Sequence, residues 1–182
     1  LSDQGHWEQA MVSLDEALAV WRSTGHRHGI AYAQGLRGRL LARMSAFDAG
    51  RDELVAASVL HREVGAEGDA AQVSLWLAEC YLLAGEPDAA LRLLDDGADD
   101  ESVAAARLRA TATWLTGPAT DGVGALHAAY RRAGDEAEAY ERVCLAEVLA
   151  AADPGADDRA DDVAPLRTGL GIVRLAVLPV SE

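Results

Sequence analysis

A small-residue pattern recurs at forty-residue intervals through the first half of the chain, beginning at Gly5, Ser45 and Gly85. A period of that size belongs to stacked helical hairpins, each of which hides its apolar face only against the next. The first copy reads Gly5-His-Trp7-Glu-Gln-Ala10-Met-Val-Ser-Leu14, the second Ser45-Ala-Phe47-Asp-Ala-Gly50-Arg-Asp-Glu-Leu54, and the third Gly85-Glu-Pro87-Asp-Ala-Ala90-Leu-Arg-Leu-Leu94. Each sets a turn residue first, then a bulky or rigid one, then a small one, with Leu four positions later. One helical face therefore alternates small and large side chains, and the small ones admit a neighbouring helix closely. Ahead of the third copy, Leu77, Ala78 and Tyr81 share one face of a preceding helix that Gly85 ends, with Gly38 and Leu41 in the matching places one period earlier.

The pair Leu77-Ala78-x-x-Tyr81 and Ala90-x-x-x-Leu94 resembles the tetratricopeptide repeat family, whose unit has a Leu-Gly-x-x-Tyr helix followed by an Ala-x-x-x-Phe helix. Arg37 and Arg109 stand where that family usually has Leu, and the forty-residue period exceeds the standard thirty-four, so both helices of each unit are read as lengthened. A fourth unit runs through Gly117, Ala119, Gly122, Leu126 and Ala129, and a degenerate fifth from about Asp135 to Gly169. The resemblance implies an all-α, right-handed solenoid of four to five hairpins over residues 1–170. Residues 171–182, apolar and containing Pro179, either fold back as a cap or run on as an extended tail.

Composition agrees with helix packing: half of the residues are apolar but only 5% are aromatic. About three-quarters of the residues are expected to be helical, well above the usual fraction. No run of eighteen apolar residues and no signal pattern occurs, which predicts a soluble, cytoplasmic chain without a membrane span. Leu1 stands four before Gly5 as Leu41 stands four before Ser45, so the sequence opens at the end of a hairpin's first helix and reads as a fragment of a longer protein. Lys and Asn are absent, a composition that suits a high-GC bacterial genome. The stretches from Ala17 to Tyr32 and from Leu170 to Pro179 are similar to the C-terminal repeat regions of large bacterial signalling proteins. These include class III adenylate or guanylate cyclases fused to an ATPase module and transcriptional regulators of the LuxR and SARP kinds. That resemblance implies a regulatory or protein-interaction role, with any catalytic domain outside this chain.

Motifs that could carry chemistry fail on their own residues. Gly117-Pro-Ala-Thr-Asp-Gly122-Val-Gly124 opens like a phosphate-binding loop, yet Val123 and Gly124 occupy the places of its Lys and Ser or Thr. Gly35 and Gly38 fit a close helix crossing. His26, His28 and His61 have no metal-ligand spacing, and His26 and His28 are expected on different sides, so no metal and no cofactor are assigned. Cys80 and Cys144, each inside a predicted helix, read as buried thiols rather than a zinc knuckle or a disulfide. No grouping of Ser, His and Asp points to an enzyme.

Charge narrows the partners. A formal net charge of −14 opposes nucleic-acid binding, which needs a basic surface. The runs around Asp95 to Glu101 and Asp157 to Asp162 read as solvated loops and helix starts. In tetratricopeptide repeats the first helix of each pair lines a concave groove, and here that region would present Arg39 and Arg43, then Glu79, Leu82 and Leu83, then Arg107 and Trp114. Two uses of these residues stay open: the arginines pair carboxylates of a bound protein or peptide segment with Trp114 as an apolar anchor, or they pair internal Asp and Glu while Trp114 is core. The expected partner is a protein or peptide segment, including upstream domains of the same polypeptide; the alternative function is a receptor for a short peptide. Self-association through the exposed first half-hairpin is either a property of the protein or an artefact of truncation.

Overall fold

The computed structural model describes residues 6–96, 102–133, 139–155, 160–169 and 178–179. Gly5, the acidic residues 99–101 and 157–158, the start of the fifth unit at Asp135, and most of the closing segment 171–182 lie outside the described residues. Of the described residues 86% are helical and none is in a strand. The helices are α1 (Trp7–Thr24), α2 (Arg27–Arg43), α3 (Phe47–Glu63), α4 (Glu67–Leu83), α5 (Pro87–Asp96), α6 (Val103–Thr116), α7 (Ala119–Arg132), α8 (Ala139–Ala152) and α9 (Ala160–Gly169). None is long and apolar enough to cross a membrane.

The forty-residue period proves to be two half-periods of twenty. Gly25, Ser45, Gly65 and Gly85 all have positive φ, between 65° and 76°, and each stands just beyond a helix. The N–H of each donates to a carbonyl three residues back, and the next N–H to a carbonyl five back, as in Gly85 to Leu82 at 3.0 Å and Glu86 to Tyr81 at 2.8 Å. Four identical Schellman closures thus satisfy carbonyls that a helix end leaves open. Ser45 adopts the left-handed conformation at the place where the other three have Gly, which has no Cβ to clash there.

Each helix contacts its chain neighbours, and α2, α4, α6 and α8 also contact one another in sequence. The odd-numbered helices lack such contacts among the described residues, so they form an outer layer over an inner row of even-numbered ones. Three apolar clusters fill the triangles this makes. Ala42, Leu54, Ala57, Val73 and Leu83 join α2, α3 and α4. Ala78, Leu82, Ala90, Leu94 and Leu108 join α4, α5 and α6. Leu126, Ala129, Cys144, Leu145 and Leu149 belong with Val103 and Ala110 to the third, against which Leu178 also packs. Helix α4 is buried on nearly every side because two of the three clusters share it.

Small residues set the interhelical distances. A Cβ on Gly38 would lie 2.8 Å from the Gly50 carbonyl oxygen, and one on Gly50 equally close to that of Gly38, so the α2–α3 crossing is backbone on backbone. Gly122 meets the backbone of Trp114 in the same way, and this close α6–α7 crossing is the structural use of the glycine in the phosphate-loop-like stretch. Ala78 and Ala90 are fully buried in the middle cluster. Replacing either by Leu should overpack it and cost about 1–3 kcal/mol. A urea midpoint equal to the parent's would show that the cluster yields without strain.

Candidate functional site

The inner row presents one stripe per helix. On α2, Tyr32, Leu36 and Arg39 recur at spacings of four and three, and on α4, forty residues later, Gln72, Trp76 and Glu79 hold the same positions. Both stripes line a cavity of about 480 Å³, whose remaining wall includes Val103 and Arg107 of α6 and Tyr140 and Glu141 of α8.

At one end of this cavity is a buried ion network to which all four inner helices contribute. Glu79, 3% exposed, is its centre. Arg39 Nε donates to Glu79 Oε2 at 3.1 Å, Arg43 Nη2 approaches the same oxygen at 3.9 Å, and Arg107 Nη2 donates to Oε1 at 3.5 Å. Arg107 Nε donates in turn to Glu141 Oε2 at 2.6 Å. The Tyr140 hydroxyl accepts from Arg43, and from Arg39 at 3.4 Å, while the Arg39 guanidinium lies 5.4 Å from the Trp76 ring centre and 5.6 Å from that of Tyr140. Residues about a hundred positions apart therefore touch, with the inner row curved enough for α2 and α8 side chains to meet.

Burial would push the Glu79 carboxyl up, but Arg39, Arg43 and Arg107 outweigh it and hold it down to about 2. Burial would likewise lower the Arg107 pKa, yet Glu141 and Glu79 more than offset this and raise it; burial raises that of Tyr140. These three groups hold one protonation state at neutral pH. What the cluster offers a ligand is fixed charge, donors and aromatic faces, not a proton to exchange.

Of the residues expected at a groove, Arg39, Arg43, Glu79 and Arg107 do converge, but on one another. The arginines pair internal carboxylates, the second of the two uses the sequence left open. Arg43 and Arg107 are buried, whereas the Arg39 side chain keeps 22% of its surface exposed. Leu82 and Leu83 do not line the cavity: they point into the two cores on either side of α4 and are 1% and 3% exposed. Trp114 is also displaced from that role, since it packs against the third cluster with its backbone on Gly122. The physical reasons differ: position 82 is rotated off the 72-76-79 stripe of α4 towards α5 and α6, whereas position 83 continues that stripe but lies one turn beyond the cavity, where it packs with Ala42, Leu54 and Ala57 of α2 and α3.

Trp76, Tyr32, Tyr140 and Glu141 were missed. Carrying the 32-36-39 stripe forward by one period would have found Trp76; nothing periodic points to Tyr140, because the interval from Glu79 to Arg107 is twenty-eight residues and that from Arg107 to Glu141 thirty-four. Arg37, at a position where Leu is usual in the resembling family, bridges Glu53 at 2.6 Å and Asp15 at 3.2 Å, and so ties α1, α2 and α3 together. Arg109, the other such position, donates to the Leu94 carbonyl at 2.8 Å, near the end of α5. Both cysteines are free thiols buried in cores, where burial pushes Cys80 up to about 11 and Cys144 up to about 12.

Comparison with known proteins matches no family model, no curated protein and no solved structure.

Proposed function

We propose that the chain is a right-handed solenoid of tetratricopeptide-like hairpins that works as a protein-interaction or regulatory module of a larger bacterial signalling or transcription-regulating protein. The reading rests on the half-period of twenty, the inner row of even-numbered helices, and above all the cavity between the α2 and α4 stripes. Its chemistry suits a segment of polypeptide. An apolar or aromatic side chain stacks against Trp76 and Leu36, Gln72 bonds a backbone amide, and Arg39 turns its exposed edge to a carbonyl or carboxylate oxygen. The buried network behind it holds the wall rigid, so little ordering is left to oppose binding.

A cytoplasmic location and a partner in the same polypeptide belong to this reading. A second reading, a receptor for a short free peptide, draws on the cavity's size: about 480 Å³ is within the usual small-ligand range and takes one or two side chains rather than a long strand.

Random heptapeptides displayed on phage and selected on the intact chain provide the test. Enriched sequences should share an apolar residue next to a carboxylate, quench Trp76 fluorescence, and bind Trp76→Ala or Arg39→Gln at least about tenfold more weakly, a loss of about 1.4 kcal/mol. No enrichment, or equal binding by both variants with helicity intact, would remove the cavity from the proposal. Binding of free peptides with micromolar affinity favours the receptor; binding only when the segment is fused to a folded domain favours regulation in cis.

A further inference from the structure

The buried stripe of α3, running through Gly50, Leu54, Ala57 and Ser58, ends in a histidine rather than a hydrophobe. His61 is 1% exposed, and its Nδ1 is buried with no hydrogen-bond partner. A polar atom left in that condition is costly, and native structures rarely tolerate it without a use. The nitrogen faces Asp69 Oδ2 in the first turn of α4, 3.9 Å away. From the first turn of α2, His28 brings its Nε2 to 2.7 Å from the same oxygen, and the two imidazole rings meet edge to face with centres 5.3 Å apart.

Three donor atoms from three helices thus lie within 4.8 Å of one another. Two imidazoles and a carboxylate are a donor set for borderline divalent cations, zinc foremost. Zinc bonds of about 2.0–2.2 Å bring donors of a tetrahedral site within roughly 3.5 Å of each other, so small side-chain rotations suffice. His28 and Asp69 are about half exposed and free to make them, while His61 supplies the fixed point. The adjacent cation Arg27 is paired with Glu63. His26 is spent elsewhere: its Nδ1 accepts the Gly29 N–H at 2.9 Å and caps α2.

We propose that His28, His61 and Asp69 form a zinc site that clamps α2, α3 and α4 together at one end and leaves a fourth position for water or for a partner's side chain. Coordination through His28 Nε2 requires its proton to sit on Nδ1, so the Nε2–Asp69 hydrogen bond is exchanged for the metal.

The whole chain should be titrated with Zn²⁺ by calorimetry in a large excess of Mg²⁺, which occupies the acidic surface. One equivalent should bind, raise the melting temperature, and be replaceable by Co²⁺ with the visible absorption of a four-coordinate site. His28→Ala, at an exposed position, and Asp69→Asn, at a half-buried one, should each weaken binding by about tenfold or more and lose the cobalt spectrum with helicity unchanged. His61→Asn adds the buried ligand, judged only if its circular dichroism matches the parent's. Failure to bind one equivalent, or binding that His28→Ala and Asp69→Asn leave intact, would overturn the site; the latter result would assign the ion to the surface of a chain of net charge −14.

Discussion

Glu79→Gln is expected to destabilise the chain by about 3–5 kcal/mol at pH 7, the usual cost of removing one partner from a buried ionic cluster. Three guanidiniums converge on this carboxylate, and two of them, on Arg43 and Arg107, are almost wholly buried. Gln keeps the shape and one acceptor but cancels the charge, leaving those cations in low dielectric with their central counter-ion gone. The pH dependence follows from the direction of the shift. The folded pKa of Glu79 is held down to about 2, from an ordinary 4.5. Its contribution is therefore complete above about pH 4.5 and is lost as pH falls through about 2. Urea unfolding from pH 7 to pH 2 should show a wide gap between parent and variant at neutral pH, closing only in acid. A gap under about 1 kcal/mol at pH 7, or one that does not change with pH, would mean that the network is not coupled as the geometry implies.

Gly122→Ala should be the most damaging conservative change in the second half of the chain. The added Cβ would stand 2.2 Å from Trp114 Cα and 2.5 Å from its backbone nitrogen, neither of which can rotate away. Carbon atoms need about 3.5 Å, so α6 and α7 must separate by more than about 1 Å along a crossing that helps to close the third cluster. Overpacking of this kind typically costs 1–3 kcal/mol, and about 3 or more is expected where backbone is hit. The same helix supplies its own control. Gly124 is exposed, with nothing within 4 Å of its would-be Cβ, so Gly124→Ala should stabilise α7 by roughly 0.5–1 kcal/mol through the ordinary preference of a helix interior for Ala. Opposite signs two residues apart separate packing from propensity; equal effects would show that the α6–α7 crossing opens readily.

The helical hairpins were legible in the sequence because the signals that make them are local. A left-handed turn residue, a small residue and a Leu at helical spacing act over one or two turns, so Ser45 and Gly85 marked helix ends and Gly38, Gly50, Ala78 and Ala90 marked close contacts without any knowledge of the tertiary arrangement. The intermediate turns at Gly25 and Gly65 carried the same information at half the spacing. Counting on from Arg39 by one period also reached Glu79, since both stripes keep the same helical phase.

What Arg39, Arg43 and Arg107 do was settled only in three dimensions. Their pairing with Glu79, Glu141 and Tyr140 depends on how far the inner row curves, and curvature is a sum of small angles between helices that no single repeat specifies. Packing similarly decided that Leu82 and Leu83 are covered by neighbouring helices while Trp76 faces the cavity. His28, His61 and Asp69 were invisible to spacing for the same reason: they belong to three helices, and the left-handed turns at Ser45 and Gly65 fold those helices back until the three side chains meet. The helices and their close crossings could be read from local residue patterns, because backbone conformation and steric fit are short-range. Which charged and imidazole side chains meet emerged from packing, because those interactions run between residues that are far apart in the chain and adjacent only once the helices have packed.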